Sequence, residues 1–190
     1  MKLQDLLQFH SGSPQFRITE SSDINAPLYY FYGQPELEND LVDLAVNAEN
    51  AKEIHTKDEV STVSEGDILF SLISGRTTIV RSIHHGYLYT QNYIKLIPKE
   101  EIDKQYLVYI LNESDHIRKQ WMVRLQGSAV LKHTVKDLRE LDMPQLHPFE
   151  KQKSIGEIYF AQIKLQALKN RAANTEKRLT LEKLRKVDEK

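Results

Sequence analysis

The sequence predicts an α+β fold: a mixed β-sheet domain with peripheral helices over residues 1–146, then one long coiled-coil-forming helix over residues 147–190. Three observations predict it. Short β-branched and apolar runs, bounded by turn residues, fill the stretch from Gly66 to Pro98. Capped helical patterns follow between Asp103 and Leu138. From Pro148 onward no proline interrupts the chain, and apolar residues recur with a seven-residue period.

Taken in order, Ser11 to Pro35 is rich in Gly, Ser, Pro and Asn and reads as loops and short strands around Tyr29-Tyr30-Phe31-Tyr32. Gly66-Asp67 marks a turn into a strand over 68–73. Ser74-Gly75-Arg76 turns into a second, β-branched strand over 77–83. His85-Gly86 turns into a third over 89–97, closed by Pro98. Asp103 is placed to cap a helix carrying Leu107, Ile110 and Leu111 on one face. Ser114 starts another, with Ile117, Trp121 and Met122, and Thr134 caps a short turn with Val135 and Leu138. Leu141 to Pro144 reads as an edge strand or an extended exit.

The last forty residues differ in kind. Pro148 suits a first helical turn, and Glu150 sits where the helix dipole favours an acid. Ile158, Ala161, Leu165, Leu168, Ala172, Thr175 and Leu179 alternate spacings of three and four, which makes a coiled-coil seam; the phase then shifts to Leu181, Leu184 and Val187. A helix from 148 to 187 is roughly 60 Å long. A domain this small cannot bury a stripe of that length, so Ile158, Leu165, Leu168, Ala172 and Leu179 are expected to pair with a second helix. A helix laid back along its own domain is the alternative.

Hydrophobic residues are 40% of the 190, enough for a core, and the formal net charge is −1. The balance hides a segregation. Residues 20–67 carry two basic and twelve acidic residues, net −10, whereas 68–139 and 150–190 each carry eleven basic and six acidic, net +5. A protein that touches DNA through its middle has this pattern, and so does one whose parts neutralise each other. There is no cysteine, which excludes disulfides, thiolate metal sites and cysteine nucleophiles. No apolar leader opens the sequence and no run reaches membrane-span length, so a cytoplasmic protein without membrane contact is expected.

Catalytic signatures are missing. No phosphate-cradling glycine motif and no His-Glu-x-x-His occurs, and the seven histidines have no metal-ligand spacing. Residues suited to DNA are better represented. Arg76 and Arg81 flank a strand, Asn92 and Lys95 surround the next, and Arg124, Gln126 and Lys132 fall around a glycine-containing break. Arg and Lys neutralise phosphates, and Arg, Asn and Gln hold base edges through paired hydrogen bonds. Each of these side chains, taken alone, also suits a solvated surface.

Several segments resemble the specificity subunits of type I restriction–modification systems. They are Gly66-Asp67-Ile68-Leu69-Phe70-Ser71, Thr90 to Leu96, Tyr106 to Asn112, Gln126-Gly127-Ser128, Leu138 to Pro144 and Glu150 to Gly156, in that order, the entry to the last reading Pro144 to Gln152. The resemblance covers about residues 60–187. It implies a target-recognition domain that reads one half of a split double-stranded DNA target, and a spacer helix on which methyltransferase subunits dock. It further implies that those subunits bring S-adenosylmethionine, that a restriction subunit joins in some complexes, and that this chain holds no cofactor and no catalytic residue. Such subunits carry two recognition domains; this chain has one, so two copies are expected to pair as a homodimer through antiparallel C-terminal helices. Two other readings stay open: an adaptor that uses the coiled coil without touching DNA, and a hydrolase built on His84 or His133.

Overall fold

The computed structural model describes residues 1–44, 51–125 and 133–188. Among the described residues, seven strands and five α-helices run in the order β1 (Leu7–Ser11), β2 (Leu28–Tyr32), α1 (Gln34–Val42), β3 (Glu53–His55), β4 (Ile68–Ser71), β5 (Thr77–Ile79), β6 (Leu88–Tyr89), β7 (Tyr93–Pro98), α2 (Lys104–Glu113), α3 (Asp115–Leu125), α4 (Val135–Arg139) and α5 (Phe149–Asp188). The α+β class stands, and the mixed character lies in the smaller of two sheets. The larger sheet is antiparallel throughout, in the order β1-β7-β4-β5, with Phe9 opposite Leu96, Phe70 opposite Ile94 and Leu69 opposite Thr78. The smaller has the order β3-β2-β6, antiparallel on one side of β2 and parallel on the other.

Both faces of the large sheet are covered, which is why β4 is an unbroken buried run rather than an alternating one. Ile68, Phe70, Ile94 and Leu96 join the core under α2, α3 and α5. Their neighbours Leu69 and Tyr93 face the other way and pack with Tyr32, Leu37, Val63, Val80 and Tyr89. A buried polar cluster sits among the latter: Asp40 accepts from the Tyr32 hydroxyl at 2.7 Å and lies 2.7 Å from His84 Nδ1. Burial beside the Asp40 carboxylate pushes the Tyr32 phenol well up.

The strands are shorter than the sequence patterns. The 77–83 pattern stops at Ile79, and Ser82–His84 forms a 3-10 turn because His84 turns inward to Asp40. The 89–97 pattern divides into β6 and β7 around Gln91-Asn92. Three strands and helices were not anticipated. β1, of which only Leu7 is buried, pairs with β7, and β3 pairs with β2. α1 opens at Gly33, whose N–H donates to Glu36 at 2.8 Å, with a proline in the first turn. The expected caps are present: Asp103 accepts from the Tyr106 N–H at 2.9 Å, and Thr134 from the Asp137 N–H at 3.0 Å.

Pro148 stands just before α5 and supplies the carbonyl that accepts from the Lys151 and Gln152 N–H groups. Buried Gln152 anchors the root of the helix, donating to the carbonyls of Glu101 and His147 and accepting from the Asp103 N–H. One turn on, Gly156 lies against the main chain of α2, where any Cβ would stand 2.6 Å from Gln105 Cβ and 2.7 Å from the Tyr106 nitrogen. Phe160 completes the contact and enters the core. Beyond Ala167 every described residue of α5 is exposed, with Leu44 bordering a cleft along Ala167, Asn170 and Asn174. The helix thus buries residues against its domain in its first turns only.

Candidate nucleic-acid interface

Antiparallel pairing brings the end of β1, the start of β7, the end of β4 and the start of β5 to one end of the large sheet. Three connections meet there: residues 12–17, 72–76 and 90–92. Main-chain hydrogen bonds tie them together. The Ser13 N–H donates to the Tyr89 carbonyl at 3.1 Å, the Gln91 N–H to the Ser13 carbonyl at 3.0 Å, and the Leu72 N–H to the Asn92 carbonyl at 2.8 Å. Gly12 is a close-approach glycine, since a Cβ there would collide with the carbonyls of Tyr89 and Thr90. The His133 N–H donates to the Leu72 carbonyl at 3.0 Å and extends the rim toward α3.

The rim presents polar, cationic and apolar side chains together. Gln15, Phe16, Arg17, Ile73, Ser74, Arg76 and Gln91 are all exposed. Beside Arg76 lies a cleft of about 160 Å³, bounded by Ser74, Gly75, Arg118, Trp121 and His133. The His133 ring is wedged against Gly75 and edge-on to Trp121, centroids 4.3 Å apart, and burial holds its pKa below the ordinary histidine value.

The structure distributes the predicted residues unequally. Arg76 and Asn92 both reach the rim. Arg76 is half exposed, with Glu113 at 3.5 Å; Asn92 is half-buried. Lys95 points to the other face of the sheet, 2.8 Å from Asp67 and over the Tyr89 ring. Arg81 lies at the opposite end of the sheet, donating to the Asp40 carbonyl at 3.2 Å, with Asp43 at 3.5 Å and its guanidinium over Phe160. It shares Asp43 with Lys164 of α5, 2.7 Å away, and that hydrogen bond holds the Asp43 carboxyl below the ordinary range. Arg124 is held by Asp137 at 3.2 Å and the Glu140 carbonyl at 3.1 Å. Gln126 and Lys132 lie outside the described residues. Sequence reasoning overlooked Gln15, Phe16 and Arg17, although Gly12-Ser13-Pro14 signals a turn just before them.

The helix residues predicted for pairing lie on the side of α5 away from the domain. Ile158 is 69% exposed, and Leu165, Leu168 and Leu179 are each nearly half exposed. Ala172 is exposed as well. Among the described residues no group of three or more His, Asp or Glu is placed to hold a metal, and no helix is long and apolar enough to cross a membrane.

A model of the type I restriction modification DNA specificity domain matches residues 1–177. No curated protein matches. Among solved structures, the HsdS subunit from Thermoanaerobacter tengcongensis has a TM-score of 0.57 at 20% identity, over 91% of this chain and 39% of that one. A chain from a structural study of assembly and conformational transition of the type I R-M system has a TM-score of 0.61 at 21% identity, over 97% and 42%. The type I restriction–modification S subunit from M. genitalium has 0.53 at 18%, over 95% and 43%. At these identities the likeness is one of fold, and this chain spans about two fifths of the length of each of those chains.

Proposed function

Because the chain belongs to the type I restriction modification DNA specificity domain family, we propose that it is the non-catalytic, sequence-reading component of a cytoplasmic DNA-methylating complex. The domain, residues 1–146, reads one half of a two-part double-stranded target. The helix region, residues 147–190, joins two copies and docks methyltransferase subunits that carry S-adenosylmethionine. A restriction subunit joins the same assembly where cleavage accompanies methylation.

The observation that carries this reading is the sheet-end rim, where three pinned loops offer Arg76, Gln91 and Arg17 to solvent. Cations of this kind neutralise phosphates, and arginine and amide groups pair with base edges. Arg76 and Asn92 lead the proposed contact set. Arg81, at the opposite end of the sheet, and Lys95, on its other face, stand apart from the rim, and with Arg124 each would have to exchange an internal carboxylate for phosphate to join the set. The exposed seam of Ile158, Leu165, Leu168, Ala172 and Leu179 supports an antiparallel homodimer. Twofold symmetry then makes the target palindromic and interrupted, with helix length setting the gap.

Methylome sequencing of cells with and without the gene tests the proposal. Loss of one interrupted palindromic methylation motif is the expected result, and an unchanged methylome in cells that express the chain and its methyltransferase would overturn it. The adaptor reading predicts no electrophoretic shift of any duplex with the methyltransferase present.

A further inference from the structure

We propose that Phe16 is a wedge residue that enters the stack between two adjacent base pairs, with Arg17 on a flanking phosphate; this rests on the DNA-reading function proposed above. Phe16 is 78% exposed at the tip of a three-residue 3-10 turn, and the Arg17 guanidinium lies 5.5 Å from its ring centre. A lone surface phenyl is unremarkable on a floppy loop, but this one stands on a rigid base. Gly12 admits no side chain against the 89–90 backbone. The Ser13 N–H and carbonyl bond to Tyr89 and Gln91, and the Ser13 hydroxyl accepts from the Ser61 N–H at 2.7 Å. Holding a large apolar ring in water by so many contacts adds nothing to the core. It does prearrange the ring for a partner, since ordering costs are met before binding.

The surroundings select the partner. Ile73, 54% exposed, stands on another loop at the same end of the sheet, as do exposed Arg76 and Gln91, while Gln15 and Arg17 flank Phe16 along the chain. Apolar wedges of Phe and Ile flanked by Arg are the composition that unstacks a base step. A protein groove would favour the apolar pair without the surrounding cations and amides. Two acidic residues behind the tip are engaged: Asp23 pairs with Lys57, and Asp58 accepts from the Thr19 N–H.

The experiment uses the full chain co-purified with its methyltransferase subunits, and 40-bp duplexes enriched by that complex from a randomised pool. 2-Aminopurine is placed at successive adenine positions. Wild type is expected to raise the fluorescence several-fold at one step in each half-site. Phe16→Ala should abolish that rise and weaken binding about tenfold, with unchanged melting temperature, while Phe16→Leu retains most of both. If wild type enriches a motif but no position brightens, or Phe16→Ala binds as tightly as wild type, the wedge is wrong and DNA reading survives. If no motif is enriched, both are wrong. If Phe16→Ala loses the methyltransferase instead of the DNA, the residue is a protein contact and the wedge is overturned.

Discussion

Gly156→Ala is expected to loosen the long helix from its domain, even though alanine is the better helix former. The added Cβ would lie 2.6 Å from Gln105 Cβ, 2.7 Å from the Tyr106 nitrogen and 2.9 Å from the Gln105 carbonyl carbon. Non-bonded carbons need about 3.5–4.0 Å, so α5 must withdraw from α2 by roughly 1 Å at the crossing. Two of the three atoms are main chain inside a helix and cannot swing aside. Overpacking of this kind costs about 1–3 kcal/mol, and the rigid neighbours place this case at the upper end. The helix propensity gain of about 1 kcal/mol works against it. A net loss of about 2 kcal/mol follows, which lowers Tm by about 4–8 °C for a chain of this size. The displacement also stretches the three hydrogen bonds of Gln152, one turn earlier. Differential scanning calorimetry at fixed protein concentration measures it, with exposed Gln162→Ala on the same helix as control. A Gly156→Ala melting point equal to or above wild type would refute the close-approach argument, because propensity alone predicts a rise.

Three further outcomes are expected. Replacing Leu165 and Leu168 with lysine should convert the proposed dimer to monomer in light scattering at micromolar concentration, with the domain still folded; a mutant that stays dimeric would move the seam elsewhere. Asp40→Ala leaves the Tyr32 hydroxyl and His84 without their buried acceptor, so urea unfolding should report a loss of about 3 kcal/mol or more. Burial holds the pKa of folded His133 below the ordinary histidine value. The unfolded chain therefore binds that proton first, and stability should fall as pH drops below about 6.5. His133→Phe, which keeps a ring against Trp121, should flatten that decline in a Tm-versus-pH series; an identical slope would contradict the assignment.

The long helix and the caps at Asp103 and Thr134 were legible in the sequence, because each depends on residues within a few positions of one another. The strand at 68–71 was legible for the same reason. Tertiary structure alone decided which end of the sheet gathers its loops, since that follows from β1 pairing with β7 across more than eighty residues of chain. It also decided the fate of the cations. Arg81, Lys95 and Arg124 look alike in sequence to Arg76, and folding gave all four a carboxylate partner, but it buried the first three more deeply. Arg76 stayed half exposed at the rim. Phe16 shows the converse. Its residue type announces a core position, and only the pinned turn beneath it, built from the backbones of Ser13, Tyr89 and Gln91, turns it outward. Local periodicity specifies elements; which side chains remain available to a partner depends on non-local packing, and no short window of sequence contains it.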